Sequence, residues 1–184
     1  MRIGIDLDDT LVNTSKAFDE VLMRNNVTFN KKYSDVWTEK EAEFILKNYF
    51  EETVKIAKLN VGAKAAIDYL SSSGHEIIVI TARSNHYSNN IEDITLKFIK
   101  DNNLKISEIY FGQHEKANKA KELKIDVMID DNPEIYKSMK AKNIDCILMG
   151  DKIKNWYEVI EYIKKKEALY GENSYWERDY RRWI

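Results

Sequence analysis

Hydrophobic and polar positions change their spacing twice along this chain. At the start, Ile3, Ile5 and Leu7 form a short apolar run that reads as a buried strand. From residue 13 to about 60 the spacing becomes helical. Asn13, Thr14 and Ser15 offer N-cap oxygens ahead of Phe18, Val21 and Leu22, and Asn25-Asn26 marks the end of that helix. Thr38-Glu39-Lys40-Glu41 is a capping box opening a second helix, which carries Ala42, Ile45, Leu46, Tyr49 and Phe50. Whether that helix runs unbroken to Leu59 stays open. Gly62 precedes a third helix over 63–70, stopped by the Ser71-Ser72-Ser73-Gly74 punctuation.

Beyond Gly74 strand and helix alternate. The pattern predicts strands over 76–80, 106–111, 125–129 and 144–149, and helices over 91–100, 116–123, 134–142 and 156–169. Asn89 and Glu92 mark the start of the first of these helices. Pro133, the single proline, follows Asn132 and suits the first position of a helix that Asn132 caps. This alternation implies an α/β protein with a parallel sheet between two layers of helices, a three-layer Rossmann-like core. No repeat or low-complexity segment interrupts it. Residues 1–12 and 61–184 then make the core, and residues 13–60 a small helical insertion after the first strand.

Composition narrows the functional classes. The chain has 184 residues, 43% of them hydrophobic and 33% charged, with a formal net charge of −2. That size suits one domain with a modest insertion. The charge balance supplies no footprint for duplex nucleic acid or an anionic membrane. No apolar stretch is long enough for a bilayer, and Met1 leads straight into the first strand, so a cytoplasmic protein without a leader is expected. The lone Cys146 sits in an apolar run and reads as core packing in a reducing compartment. The aromatic, arginine-rich tail over 175–184 suits a helix that docks on the body or on a second copy in a homodimer. Stacking on nucleic-acid bases is its alternative reading. Lys164-Lys165-Lys166 reads as a solvated helix face.

The chemistry collects at the predicted strand ends, where the working crevice of an open α/β sheet lies. The first strand ends in Asp6, Asp8 and Asp9, and the second in Thr81-Ala82-Arg83-Ser84. Lys116 opens the helix before the strand that ends in Asp130-Asp131-Asn132. Each group also has an ordinary explanation: an acidic turn, a strand-end turn former, a surface lysine, a capping turn. Their joint arrival at one edge is what those explanations do not supply. Clustered carboxylates repel and raise one another's pKa unless a counter-charge intervenes, and a hard divalent cation such as Mg²⁺ suits carboxylate oxygens. Such a set fits phosphoryl transfer through a carboxylate. Asp6 serves as nucleophile, Mg²⁺ and Lys116 neutralise charge, and Asp8 acts as general acid and base. Thr81 and neighbouring backbone N–H groups hold phosphate oxygens. Arg83 either touches substrate or pairs with a carboxylate, an ambiguity Ser84 and Asn85 share. His75, His86 and His114 have no zinc-site spacing, and the two loop histidines, His86 and His114, are candidate substrate contacts.

In that order, Asp6-Leu7-Asp8-Asp9-Thr10, Val79-Ile80-Thr81-Ala82-Arg83, Lys116 and Ile129-Asp130-Asp131-Asn132-Pro133 resemble the four motifs of the haloacid dehalogenase (HAD) superfamily. The Thr81-Ala82-Arg83 form and the paired aspartates are most similar to the type C 5′(3′)-deoxyribonucleotidases. The resemblance implies a Mg²⁺-dependent phosphatase, a 5′(3′)-nucleotidase acting on (deoxy)nucleoside monophosphates through an aspartyl-phosphate. It also implies that the helical insertion is a cap selecting the leaving group. The implied metal site uses the Asp6 side chain, the Asp8 carbonyl and a fourth-motif carboxylate, with Asp131 on the metal and Asp130 sharing it or orienting its waters and Lys116. The implied phosphate contacts are Thr81, Ala82, Arg83 and Lys116. Other phosphorylated metabolites, nucleic-acid ends, or a non-catalytic module that binds phosphorylated ligands remain as alternatives.

Overall fold

Strand β1 (Arg2–Ile5) lies at the centre of the molecule, and its sequence shows why. The computed structural model describes residues 1–27, 37–86 and 88–180, with side chains through Leu169. In it β1, β2 (Glu76–Ile80), β3 (Glu108–Tyr110), β4 (Val127–Asp130) and β5 (Asp145–Leu148) form one parallel sheet in the order β3-β2-β1-β4-β5. Ile3, Ile5, Ile77, Ile78, Val79, Ile80, Val127, Met128 and Ile129 have no exposure, the near-continuous apolar reading of a sheet covered on both faces. Gly4 is held to glycine by packing: a Cβ there would lie 2.7 Å from Met128 Sδ and 3.2 Å from Ile125 Cγ2.

Helices α3 (Ala63–Ser72) and α7 (Trp156–Tyr180) pack on one face with Ala66, Ile67, Leu70, Trp156, Val159 and Ile163, joined by Phe98 of α4 (Ile91–Asp101). Helices α5 (Lys116–Glu122) and α6 (Pro133–Ala141) cover the other with Ala117, Ala120 and Met139. Asn132 accepts from Glu134 N at 2.8 Å with Pro133 in the first turn, as its sequence implies. Cys146 is buried in this second layer.

Helices α1 (Thr14–Arg24) and α2 (Glu39–Ile56) stand between β1 and α3. Asn13 caps α1 by accepting from Lys16 N, and Thr38 and Glu41 cap α2 reciprocally. Phe18, Leu22, Ile45, Phe50 and Val54 form their own apolar cluster with Ile91 of α4, and the Phe18 and Phe50 rings stack at 5.8 Å. Helix α2 ends at Ile56, and the chain then returns alongside its departure. Asn13 N donates to Lys58 O at 2.8 Å and Asn60 N to Leu11 O at 2.9 Å, so both connections of the helical pair run side by side.

Most differences from the expected elements are at their ends. β3 covers less than 106–111 because Ile106 N bonds back to Leu104 O in the preceding turn. Ile125 is spent closing α5 on Ala120 O, so β4 starts at Val127 and runs on to Asp130. β5 falls one residue short of 144–149 at each end because Ile144 N closes α6 on Met139 O and Met149 lies past the last strand pair. Helix α4 begins after Asn90, which makes no side-chain cap; Asn85 instead accepts from Glu92 N at 3.1 Å. His75, just after Gly74, is buried between the Met1 amino group and Glu167. Docking of the aromatic tail lies outside the described side chains. Among the described residues, no helix is long and apolar enough to cross a membrane.

Candidate functional site

The loop after β1 aims three acids in three directions. Leu7 O accepts from both Leu11 N (3.0 Å) and Val12 N (2.8 Å), folding the chain into a tight turn. Asp9 sits at φ 56°, a left-handed conformation that a short polar side chain tolerates. Its carboxylate accepts from Ser15 N at 2.8 Å and from the Ser15 hydroxyl, in the first turn of α1, where the helix dipole favours negative charge. Asn60 Nδ2 donates to the carbonyls of Asp9 (3.2 Å) and Thr10 (2.8 Å), tying the loop to the returning chain. Part of the repulsion expected among Asp6, Asp8 and Asp9 is therefore relieved by turning Asp9 toward α1.

Asp6 remains at the sheet edge, its N–H still bonded to Ile129 O at 2.9 Å. It meets Asp130 and Asp131 from the end of β4, and ligand atoms of the three carboxylates all lie within 4.8 Å of one another. Lys116, placed at the start of α5, reaches Asp6 Oδ1 at 2.7 Å and Asp130 Oδ2 at 2.8 Å. Asp130 also accepts from Asn132 N at 2.9 Å, and Thr10 Oγ1 donates to Asp131 Oδ1 at 3.1 Å. Burial pushes the Asp6 carboxyl well above the usual carboxylate range; Lys116 pulls it down, while Asp130 and Asp8 add to the rise. Burial likewise lifts Asp131 to about 6, aided by the charges of Asp130 and Asp9. Burial works against the Lys116 ammonium, but Asp6 and Asp130 overcome it and raise its pKa. One lysine is too little charge for three acids. Hard oxygen donors with surplus negative charge are the donor set that Mg²⁺ takes, so these residues fit a divalent cation.

Thr81, at the end of β2, is fully buried and accepts Arg83 N at 3.1 Å. Its loop is stitched to the loop after β3: Gln113 N donates to Thr81 O (2.8 Å) and Gly112 N to Arg83 O (2.7 Å). The Arg83 side chain is 1% exposed and turned to Asp8, with Nη2 2.7 Å from Asp8 Oδ1. Of the two options in the sequence, the structure shows the carboxylate pair. Burial would raise the Asp8 pKa, but the Arg83 charge and hydrogen bonds, with help from Thr14 and Lys116, hold it below the ordinary value.

A cavity of about 450 Å³ opens beside these groups. Asp8, Asp9, Thr14, Ala82 and Arg83 line its base, and Phe18, Leu46 and Phe50 of the helical pair line its wall. Ser84 and both loop histidines, His86 and His114, line it as well. Thr14 and Thr95 escape a reading of the sequence. Thr14 shows there as one of three cap candidates, yet its hydroxyl donates to Asp8 Oδ1 at 2.6 Å. Thr95 lies mid-helix and shows no signal of its contact with Arg83.

No family model matches the chain, and no curated protein is similar to it. Solved structures are similar in fold. A HAD-superfamily hydrolase of subfamily IA, variant 1, from Geobacter sulfurreducens PCA superimposes with a TM-score of 0.59 at 13% identity, covering 88% of this chain and 95% of that one. A HAD family hydrolase from Deinococcus radiodurans R1, solved with bound phosphate and sodium, gives 0.55 at 15% identity over 79% and 78%. A predicted phosphoglycolate phosphatase from Haemophilus somnus 129PT gives 0.54 at 16% identity over 81% and 84%. The α/β architecture of this chain is thus the Rossmann-like fold seen in HAD-superfamily hydrolases.

Proposed function

We propose that this chain is a phosphomonoester hydrolase that works through an aspartyl-phosphate on Asp6 and a divalent cation, Mg²⁺. The observation that carries the reading is the buried Asp6–Lys116–Asp130 contact with Asp131 within ligand distance. That arrangement suits an anionic carboxylate meeting an anionic phosphate. Asp6, Asp130 and Asp131 would hold the cation, with the Asp8 carbonyl the expected further ligand. When bound, the cation supplies the positive charge that lets phosphate and carboxylate approach.

Asp6 attacks phosphorus and the ester P–O bond breaks. Asp8, ionised beside Arg83 in the free site, takes up a proton as the negative phosphate arrives next to it and delivers that proton to the departing oxygen. As a carboxylate again, Asp8 takes a proton from water, which attacks the same phosphorus and breaks the bond to Asp6. Inorganic phosphate leaves and Asp6 is restored. Lys116 keeps Asp6 oriented and offsets charge, and the Thr81 hydroxyl with the loop N–H of Ala82 receives the phosphate oxygens. Residues 13–60 act as the cap over the cavity.

The substrate class favoured is a nucleoside or deoxynucleoside monophosphate, as in the type C 5′(3′)-deoxyribonucleotidases. The apolar Phe18, Leu46 and Phe50 wall supports it, because a flat base can bury itself there. The test is phosphate release from a panel of 5′- and 3′-nucleotides, sugar phosphates and 3′-phosphorylated oligonucleotides, with Mg²⁺ and with chelator. Release from nucleotides that stops with Asp6→Asn or chelation supports the reading. Turnover of sugar phosphates alone keeps the chemistry and rejects the substrate. Silence throughout favours a phospholigand-binding module. A single buried cysteine suits work in the cytoplasm.

A further inference from the structure

The ion pair between Asp8 and Arg83 is lopsided. Oδ1 of Asp8 receives Arg83 Nη2 at 2.7 Å, Arg83 Nε at 3.1 Å and the Thr14 hydroxyl at 2.6 Å. Oδ2 receives, among the described contacts, a share of the same Nε at 3.1 Å. The far side of the guanidinium is fixed as well: Nη1 donates to Thr95 Oγ1 at 3.1 Å, and Thr95 is fully buried in α4. Arg83 is sealed at 1% side-chain exposure while Asp8 keeps 31%. The cation therefore acts on a ligand through the carboxylate it holds. Both residues line the cavity, and Asp8 is the member of the pair whose side chain is the more open to it.

We propose that Arg83, braced by Thr95, is a positioning residue that clamps Oδ1 of Asp8 and presents Oδ2 to the bond being broken. This rests on the phosphatase reading. It differs from a plain structural ion pair in what it predicts. A clamp matters when the departing oxygen needs a proton, and matters little when it leaves readily as an anion. General acid–base assistance is worth roughly 10²–10⁴ in rate, so partial misplacement of its donor leaves a measurable loss. The planar fork of arginine sets this geometry, and a lysine at position 83 cannot bond Asp8 and Thr95 in the same way.

The experiment compares kcat for an alkyl phosphate, a nucleoside 5′-monophosphate, with kcat for 4-nitrophenyl phosphate, Mg²⁺ present. The ratio of the two, taken on one preparation, cancels any difference in folded fraction. Thr95→Val and Arg83→Lys should each lower the alkyl-to-aryl ratio about tenfold or more, as expected of a displaced general acid. Thr95→Ser, which keeps the hydroxyl, should restore the ratio to within about twofold of wild type. Equal losses on both substrates would overturn the clamp and leave Arg83 a structural ion pair, with the phosphatase reading intact. A wild-type protein inactive on both substrates would remove the phosphatase reading and the clamp together.

Discussion

The ammonium of Lys116 lies 2.7 Å from the Asp6 carboxylate, with both side chains more than nine-tenths buried. Such a pair is sensitive to losing one member, because the survivor is left as an uncompensated charge. Lys116→Met should abolish measurable phosphate release and cost about 3–5 kcal/mol of stability, by analogy with broken buried pairs. Combining it with Asp130→Asn should recover much of the stability, read by urea unfolding, and none of the activity.

The carboxyl of Asp131, lifted to about 6, sets a pH dependence for the protein without metal. The unfolded chain releases this proton near 3.8 and the folded one near 6, so between them the folded state binds more protons. Its contribution to stability is therefore full below about 4 and is lost as pH rises to about 6. In chelator, wild-type Tm should fall across that window relative to Asp131→Asn. Mg²⁺ should raise the wild-type Tm above pH 6 and have much less effect on the variant. Parallel Tm profiles for the two proteins would contradict both the shift and the metal site.

Phe50 stacks on Phe18 at 5.8 Å in the cavity wall. If the wall receives a base, Phe50→Ala should raise KM for nucleotides by about fivefold to tenfold, the equivalent of roughly 1 kcal/mol of aromatic contact. KM for a sugar phosphate should move much less. Equal changes for both would assign Phe50 to packing of the helical pair alone.

Gly4 leaves no room for a side chain in the sheet. Gly4→Ala should destabilise the fold by about 1–3 kcal/mol, the usual range for overpacking, because the new methyl meets Met128 Sδ at 2.7 Å. Met128→Val in the same chain should relieve part of that loss, so that the two changes are non-additive in unfolding experiments.

Much of the molecule is legible from its residues in order. The apolar run of β1, the Thr38–Glu41 capping box, the Asn132-Pro133 helix start and the acids at the strand ends each depend on neighbours a few positions away. Local periodicity and capping chemistry report such features directly, and parallel topology then brings Asp6, Thr81, Lys116 and Asp130 to one edge. Tertiary structure alone decided which way each group points. Asp9 turns to Ser15, Arg83 to Asp8 rather than outward, and Thr14 and Thr95 become partners of groups 6 and 12 positions away. Side-chain direction depends on which polar partner lies within about 3 Å once the layers close, and positions distant in the chain set that distance. The sequence by itself determined the fold and the roll of chemical groups; packing determined which of them face the cavity and which serve to hold the others.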